Sequence, residues 1–357
     1  MKTIEIFPKN SDLTKLTRVK FGIDPTFPKL HLGHLVPLRI VKKMQDEGKE
    51  ITIVLGTFTA QMGDPSGKDE TRPILSKEDV ENNANHILTQ VESILSPGFS
   101  VFRNGDLFNV MTVPNLLQIA SKFTTTRLLS RKAFRDRIEH GSPIGLHELI
   151  VPILQGTDSV HLKSEIEIGG SDQLFNFQIA RELQEMDNQK PEACLMTPII
   201  NGTDGRKMSK SLNNCIFLDE DSKDIFGKCM SVSDDTMDEW IELLTDLTDL
   251  PENLMERKKL MSFDILRQLR GEDEATKALK GFEETIQKRK IPNDIPNVNL
   301  DTVTNCVSVI RSCSKTQARR LISGGAVTID GTKIDDQFEL SSGDIIKVGK
   351  RSFAKVI

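Results

Sequence analysis

The chain has 357 residues, of which 37% are hydrophobic and 28% are charged, and its net charge at pH 7 is −5. This length predicts two or three domains of an ordinary globular protein. No apolar run approaches the roughly 20 residues of a membrane-spanning helix, and the negative net charge argues against indiscriminate nucleic-acid binding.

The N-terminal part of the chain has the pattern strand, helix, strand. Thr17–Ile23 alternates in polarity and predicts a strand, which ends at Asp24–Thr26. Apolar residues recur at helical spacing over Leu35–Met44, with Gly48 as the stop. Ile51–Leu55 is a continuous apolar run, as in a buried strand. This order predicts the start of a parallel α/β sheet.

Three further elements are predicted before the lysine-rich segment near residue 207. Glu78–Leu95 has the spacing of an amphipathic helix. Ser164–Ile168 alternates and predicts a strand that stops at the turn Gly169-Gly170. Met196–Ile200 predicts another short strand.

The last third of the chain predicts a helical segment, a linker and a small mixed domain. Residues 234–290 lack strand patterns and predict helices, and residues 288–297 contain two prolines and predict a linker. Beyond the linker we expect a helix pair, with Ser314 as an N-cap and Gly324-Gly325 as the stop. Asp330-Gly331 predicts a hairpin turn between short strands.

Charge is unevenly distributed. Residues 297–357 carry nine Lys or Arg and six Asp or Glu, a net charge of +3, so the remainder carries −8. A small basic module on an acidic body suits a local contact with RNA. The charge alone favours the simpler interpretation, a slightly basic end domain without a partner.

Two short motifs carry the chemistry. His31-Leu32-Gly33-His34 puts two imidazoles and a glycine at a strand-to-helix turn, where backbone amides and the helix dipole favour anions. The segment Lys207–Ser211 puts two lysines three residues apart in a loop. Helix capping and a solvated surface explain each motif alone. Together they predict a grip on the triphosphate of ATP during attack on its α-phosphate, with Thr26 as a further hydroxyl donor.

A second glycine-flanked loop, Gly63–Lys68, resembles a phosphate loop. It is not a Walker A motif, because no Ser or Thr follows Lys68. The simpler interpretation is a turn before a helix. The functional alternative is that Asp64 faces an active site, with Lys68 and Arg72 near the triphosphate.

Collinear motifs over nearly the whole chain resemble those of bacterial tyrosyl-tRNA synthetases, which are class I aminoacyl-tRNA synthetases. Besides the two motifs above, the matching segments are Gly22–Thr26, Thr59–Lys68, Gln155–Asp158 and Gly169–Gln173. The last 60 residues or so resemble an S4 RNA-binding module, at Ser314–Arg320, Gly324-Gly325 and Val348–Arg351. Tryptophanyl enzymes fit less well, since they lack such a module.

The resemblance implies a role for each matching residue. The catalytic set is His31, His34, Lys207, Lys210, Thr26, Lys68 and Arg72. The ATP-binding set is His31, Gly33, His34, Asp172 (for the ribose), Met208 and Lys210. The amino-acid set is Asp158 (facing the phenol), Gln155, Gln173 and Asp64 (around the amino group), Thr59, Asp24 and Val151. The RNA-binding set is Lys315, Arg319, Arg320, Lys350 and Arg351.

The chain departs from the family pattern where the family has tyrosine. Val151 replaces a tyrosine that contacts the substrate ammonium, so we expect weaker tyrosine binding. Thr157 replaces another tyrosine, and Lys20 stands where many relatives have a substrate-facing tyrosine, although one subfamily has lysine there. The chain has no tyrosine at all. Selection for translation during tyrosine shortage and deliberate replacement both remain open as reasons.

The resemblance implies a Rossmann-type α/β catalytic domain at residues 1–220, a helical anticodon-arm domain at 221–290 and an α+β S4 domain at 297–357. The expected partners are tRNA(Tyr), L-tyrosine, ATP with Mg²⁺ and a second copy of the chain, with no resident metal, membrane or DNA partner. The five cysteines lack a Cys-x-x-Cys pair and the N-terminus has no signal-peptide core, so we expect a cytoplasmic protein. A paralogue that activates another amino acid, and a non-catalytic RNA-binding descendant, are the alternatives.

Overall fold

The computed structural model describes residues 4–62, 75–284, 295–299, 301–329, 331–349 and 352–357. The chain forms two compact units, Met1–Gly271 and Glu272–Ile357. The segment expected as a separate helical domain contributes to both units, and the division into three domains stays a prediction.

The first unit is built on a six-stranded sheet of β1 (Glu5–Phe7), β2 (Arg18–Ile23), β3 (Glu50–Leu55), β4 (Ser100–Arg103), β5 (Ile166–Gly170) and β6 (Ala193–Thr197). The strand order is β1-β6-β5-β2-β3-β4. Strand β1 is antiparallel to β6, and the other neighbours are parallel. The chain proceeds from β2 to β4 on one side, then returns to β5 and β6 on the other. This reversal leaves a crevice at the carboxyl ends of β2 and β5, where such sheets bind ligands.

Strands β2 and β3 confirm the strands predicted at residues 17–23 and 51–55. The bounds predicted for the other two strands are wrong. The strand expected at 196–200 is β6, which begins at Ala193, because β5 sets its register by pairing Ile166 with Ala193. Pro198 follows β6 and has no N–H to continue the ladder. The strand expected at 164–168 is β5, which extends to Gly170 because this glycine pairs with Thr197.

The helices of the first unit alternate with its strands along the chain, and α1 contacts both β3 and β5. Helices α1 and α3 confirm two predicted helices, although α3 ends three residues before Leu95. None of the described helices is both long and apolar enough to cross a membrane. In chain order the helices are α1 (Leu32–Asp46), α2 (Thr59–Met62), α3 (Lys77–Glu92), α4 (Asn104–Phe108), α5 (Val113–Ala120), α6 (Thr125–Leu129), α7 (Lys132–Glu139), α8 (Leu146–Leu162), α9 (Leu174–Met186), α10 (Ser222–Met230), α11 (Asp234–Leu244) and α12 (Leu254–Arg270).

The periodicity of α1 explains how it packs. Its residues Leu35, Leu38 and Val41 are at most 1% exposed, and they recur at the spacing that puts them on one face. Residues Ile53 and Leu55 of β3 are fully buried in the same core. The start of α1 is thereby fixed at the carboxyl edge of the sheet.

The second unit contains α13 (Glu272–Phe282), α14 (Val303–Ile310), α15 (Lys315–Ser323) and a sheet of β7 (Asn297–Val298), β8 (Val327–Ile329), β9 (Thr332–Lys333), β10 (Ile345–Val348) and β11 (Ser352–Val356). The strand order is β7-β11-β10-β8-β9. The predicted cap is confirmed, because the Ser314 hydroxyl accepts the N–H of Gln317. Strands β8 and β9 pair antiparallel across residues 330–331, as the hairpin prediction requires. Most of the predicted linker, residues 288–294, lies outside the described residues.

Candidate active site

Two adjoining cavities lie at the carboxyl ends of β2 and β5. The first cavity has a volume of about 410 Å³ and the second about 680 Å³. Both are lined by the two histidines of the first motif and by Lys207 and Met208 of the second, so the fold brings the two motifs together. Lys210 lines the second cavity. The predicted site residues that line the first are Asp24, Thr26, His31, Gly33, His34, Thr59, Gln155, Asp158, Asp172, Gln173, Lys207 and Met208.

His31 and His34 begin helix α1 and cap it reciprocally. Nδ1 of His31 accepts the backbone N–H of Gly33 at 3.1 Å. Nδ1 of His34 accepts the backbone N–H of His31 at 3.2 Å. Because Nδ1 is the acceptor in both rings, the neutral form of each ring carries its proton on Nε2.

Burial keeps both imidazoles uncharged. Burial, together with the neighbouring His34, lowers the pKa of His31 to about 2. Burial lowers the pKa of His34 to about 4. At neutral pH each ring can therefore offer a neutral Nε2–H donor to a phosphate oxygen beside the helix N-terminus. Capping, the simpler explanation of the histidines, is present and is compatible with this role.

Two glycines that line the first cavity allow polar side chains to lie close to the backbone, where a Cβ atom would otherwise be. A Cβ on Gly33 would lie 2.8 Å from Cε1 of His31 and would displace the ring from its capping position. A Cβ on Gly56 would lie 1.9 Å from Oδ1 of Asp24 and 2.4 Å from Oγ1 of Thr59. Only glycine fits these approaches.

The lysine loop, from Asn201 to Asn214, is ordered by its own hydrogen bonds. Asn201 and Lys207 form an isolated β-bridge that closes the stem of the loop. The buried side chain of Asn214 accepts the N–H of Ser209 at 2.8 Å and donates to Asp204 at 2.7 Å. The loop thus holds its lysines in a defined place.

Both lysine side chains lie beside the second cavity. Nζ of Lys207 is 4.0 Å from Oδ2 of Asp172, and half of the Lys207 side chain is exposed. Nζ of Lys210 lies 3.9 Å from the ring centroid of Phe27, a cation–π contact. Two positive charges and two neutral N–H donors make this end of the site suitable for a polyphosphate.

Helix α11 anchors the stem of the lysine loop. The indole N–H of Trp240 donates to the carbonyl of Asn201 at 2.9 Å. The backbone N–H of Asn201 donates to Oε2 of Glu239 at 3.2 Å. Trp240 is fully buried. Trp240 is the single tryptophan of the chain, and no sequence motif predicted this contact.

A chain of hydrogen bonds joins four polar residues of the first cavity. Oγ1 of Thr59 donates to Oδ1 of Asp24 at 2.7 Å. Nδ2 of Asn104 donates to Thr59 and to Oδ2 of Asp158, both at 3.2 Å. The N–H of Phe58 donates to Oδ1 of Asn104 at 2.8 Å, which fixes the orientation of the amide. Sequence reasoning missed Asn104, although a polar residue directly after strand β4 was an available signal.

Asp158 presents an acceptor to the first cavity. Asp158 is 2% exposed, and its Oδ1 has no hydrogen-bond partner among the residues that the structure describes. Burial raises the pKa of Asp158 to about 7, against the opposing effects of the Lys20 charge and the Asn104 hydrogen bond. A buried carboxylate oxygen without a partner is costly. A substrate hydroxyl that donates to Oδ1 would remove this cost.

A buried ion pair lies at the wall of the same cavity. Nζ of Lys20 is 2.7 Å from Oε1 of Glu167, and both side chains are at most 10% exposed. Oε2 of Glu167 has no hydrogen-bond partner within the described part of the chain. Neither residue belongs to the predicted site. The available signal was a charged residue inside each of the apolar strands β2 and β5.

The remaining predicted residues divide into three groups. Val151 is fully buried on α8, and the described residues that line the first cavity include Gln155 and Asp158 of that helix but not Val151. Lys315, Arg319 and Arg320 are exposed on α15 in the second unit. The residues outside the described ranges are Asp64, Lys68, Arg72, Lys350 and Arg351.

Comparisons with known proteins agree with this geometry. Residues 12–291 match the family model of tRNA synthetases class I (W and Y), and residues 307–346 match that of the S4 domain. The Tyrosine--tRNA ligase of Aquifex aeolicus is 40% identical over an alignment 377 residues long, which covers 99% of this chain and 96% of that relative. The Tyrosine--tRNA ligase of Thermotoga maritima is 39% identical over 360 residues, covering 95% of this chain and 90% of that relative.

Solved structures share the fold at low identity. A C-terminally truncated mitochondrial tyrosyl-tRNA synthetase of Aspergillus nidulans matches with a TM-score of 0.62 and 19% identity, over 76% of this chain and 84% of that one. A tyrosyl-tRNA synthetase from Archaeoglobus fulgidus, complexed with L-tyrosine, matches with a TM-score of 0.58 and 19% identity, over 74% and 90% of the two chains. On the family model and the bacterial relatives, this chain belongs to the tRNA synthetases of class I (W and Y).

Proposed function

We propose that the protein is a tyrosine--tRNA ligase, which activates L-tyrosine with ATP and transfers it to tRNA(Tyr). The observation that carries the proposal is the unpartnered oxygen of Asp158 in the first cavity, which shares His31, His34 and Lys207 with the second cavity, where Lys210 also lies. Asp158 suits a hydroxyl and the two motifs suit a triphosphate. The relatives of 36–41% identity are named for the same activity.

Activation joins the two parts of the site. A carboxylate oxygen of tyrosine attacks the α-phosphorus of ATP, the bond from that phosphorus to the bridging oxygen breaks, and pyrophosphate leaves. The imidazole N–H groups of His31 and His34 donate to phosphate oxygens, and Thr26 adds a hydroxyl. Lys207 and Lys210 neutralise the charge that grows on the departing pyrophosphate. Lys68 and Arg72 assist there in the proposed scheme.

The amino acid and the nucleotide are held by separate groups. Asp158 accepts the phenol proton, while Gln155, Gln173 and Asp64 surround the amino group, with Thr59 and Asp24 nearby. Gly33 and Met208 lie against ATP, and Asp172 holds its ribose. In this proposal ATP brings Mg²⁺ as part of the substrate complex.

The tRNA is proposed to contact both units. The helical segment after residue 220 binds the anticodon arm, and the S4 module binds RNA through Lys315, Arg319 and Arg320, with Lys350 and Arg351. Lys315 and Arg319 are four residues apart on α15, so they share one exposed face. Nucleic-acid binding through such a face is salt-dependent.

The active form is proposed to be a homodimer in the cytoplasm. The segment 110–146 exposes large apolar side chains, which a second copy would cover. The most exposed are Val110 (77%), Leu146 (73%), Val113 (68%) and Leu117 (62%). The five cysteines are free thiols, which suits a reducing compartment.

A paralogue that activates another amino acid is the second candidate, because Val151 cannot supply the hydroxyl that the family uses near the substrate ammonium. Aminoacylation separates the two candidates. Bacterial tRNA is incubated with the protein, ATP and each amino acid in turn, and the charged tRNA is identified by sequencing. Charging of tRNA(Tyr) with tyrosine supports the proposal, and charging with another amino acid in preference contradicts it.

A further inference from the structure

Lys20 is a lysine enclosed by the protein at the wall of the first cavity. Only 2% of Lys20 is exposed. Nζ is 2.7 Å from Oε1 of Glu167, donates to Oγ of Ser159 at 2.5 Å and to the carbonyl of Gln155 at 3.3 Å. An ammonium has three N–H donors, and these three acceptors account for all of them. The charge of Lys20 is therefore fixed in position before any substrate binds.

This positive charge lies among several acidic groups. Glu167 on β5 pairs with Lys20 directly, and Glu192 just before β6 accepts from Ser159 at 3.0 Å. Asp158 on α8 and Asp24 after β2 face the same space. Burial lowers the pKa of Lys20, but the charges of Glu167, Glu192 and Asp158 outweigh it and raise that pKa. Lys20 is an ammonium at neutral pH.

Asp158 depends on its surroundings for its charge. Burial raises its pKa, as does the charge of Asp24, whereas the charge of Lys20 and the hydrogen bond from Asn104 lower it. Burial and the neighbouring Glu192 raise the pKa of Glu167 well above its usual range, against the opposing charge of Lys20. Lys20 is thus the cation that favours the ionised form of Asp158, and only this form accepts a charge-assisted hydrogen bond from a hydroxyl.

We propose that Lys20 is a specificity-determining positioning residue of the amino-acid site. Its fixed ammonium keeps Asp158 as a carboxylate, so that Asp158 accepts the hydroxyl proton of the substrate and discriminates against a ring without a hydroxyl. The inference rests on the proposed function, because it takes a phenol as the ligand of Asp158. The competing explanation is that Lys20 only compensates the buried charge of Glu167.

The test compares two full-length variants with the unmodified protein. Lys20→Met removes the charge at similar length. Lys20→Met combined with Glu167→Gln removes the whole ion pair, and neutral replacement of a buried pair is commonly tolerated in folding. ATP–pyrophosphate exchange gives kcat/KM for tyrosine and phenylalanine between about pH 6 and 8.5. Circular dichroism checks that each protein is folded.

In the unmodified protein, kcat/KM for tyrosine should rise with pH as Asp158 ionises. Both variants should shift this rise upward by about one pH unit or more. At pH 7 the value for tyrosine should fall about fivefold or more, because Asp158 is about half ionised there in the unmodified protein, and it should recover towards alkaline pH. The value for phenylalanine should not fall with it, because phenylalanine has no hydroxyl to donate to Asp158, and the KM for ATP should stay unchanged.

Two results would overturn the inference. A tyrosine profile of Lys20→Met that superimposes on that of the unmodified protein shows that Lys20 does not act on Asp158. A double variant that regains the unmodified profile shows that Lys20 only compensates Glu167. If only the double variant folds, its pH profile still decides: an upward shift supports the inference, and an unshifted profile contradicts it. Failure of the unmodified protein to activate tyrosine would instead contradict the proposed function, so the two failures are distinguishable.

Discussion

The contact between Trp240 and the stem of the lysine loop leads to a specific mutational prediction. Trp240→Phe removes the indole donor to the carbonyl of Asn201, at 2.9 Å. The carbonyl of Asn201 is partly buried, and leaving such an acceptor without its partner costs about 1–2 kcal/mol. Because Trp240 is fully buried, the smaller ring also leaves a void that costs about 1 kcal/mol. We therefore expect the free energy of unfolding to fall by about 2–3 kcal/mol.

The same substitution should slow chemistry. The stem pairs Asn201 with Lys207, so a displaced stem moves the lysines away from the phosphates. A misplacement of about 1 Å can cost about 10²-fold in rate. We expect the rate constant for adenylate formation in a single turnover to fall at least tenfold, with little change in the dissociation constant for tyrosine.

Stability and chemistry need separate measurements for this variant. Unfolding in urea is followed by circular dichroism, because the variant has neither tryptophan nor tyrosine to report by fluorescence. Phe134→Leu is the matched control, since Phe134 is fully buried in a separate cluster with Leu128 and Ile153. The control should lose stability and keep its rate constant. If Trp240→Phe loses stability but forms adenylate at the unmodified rate, the stem does not position the lysines.

Three further outcomes are expected. Lys210→Ala should lower the rate constant for adenylate formation by a factor of at least about 10² and change the dissociation constant for ATP much less. An unchanged rate at saturating ATP would contradict this role. Asp158→Ala should remove the preference for tyrosine over phenylalanine in pyrophosphate exchange, and a preference that survives would require another acceptor. Lys315→Ala combined with Arg320→Ala should raise the KM for tRNA and weaken its salt dependence, while exchange stays near normal. Equal loss of both activities would point to a structural role.

The sequence predicted the elements that local patterns determine. The strands at 17–23 and 51–55 and helix α1 have uninterrupted periodicity, and the structure confirms them. The end of β6 was misplaced because pairing with β5, and not its own apolar run, sets its bounds. Residues 196–200 are mostly apolar in sequence, yet the ladder ends at Thr197, just before Pro198.

The site shows the same division between local and distant information. The two motifs identify His31, His34, Lys207 and Lys210 without knowledge of the fold. The pairing of Lys20 with Glu167 requires β2 and β5 to be neighbours in the sheet, which no local pattern of a single sequence reveals.

Contacts that join distant elements escaped prediction for the same reason. Asn104 joins Asp158 to Thr59 only because β3 and β4 end side by side. Val151 shows the limit of residue-by-residue transfer. Gln155 and Asp158, further along α8, reach the cavity, whereas Val151 is enclosed by protein. Its proposed influence on tyrosine affinity stays a prediction.

The central claim is that a phenol hydroxyl is recognised at Asp158 while ATP is attacked beside the two motifs. The most direct measurement is ATP–pyrophosphate exchange by the unmodified protein with tyrosine, phenylalanine and ring-substituted tyrosines. The account predicts the highest kcat/KM for tyrosine and a large loss for phenylalanine, which leaves Asp158 without a partner. A higher kcat/KM for phenylalanine or for any amino acid without the ring hydroxyl would contradict it.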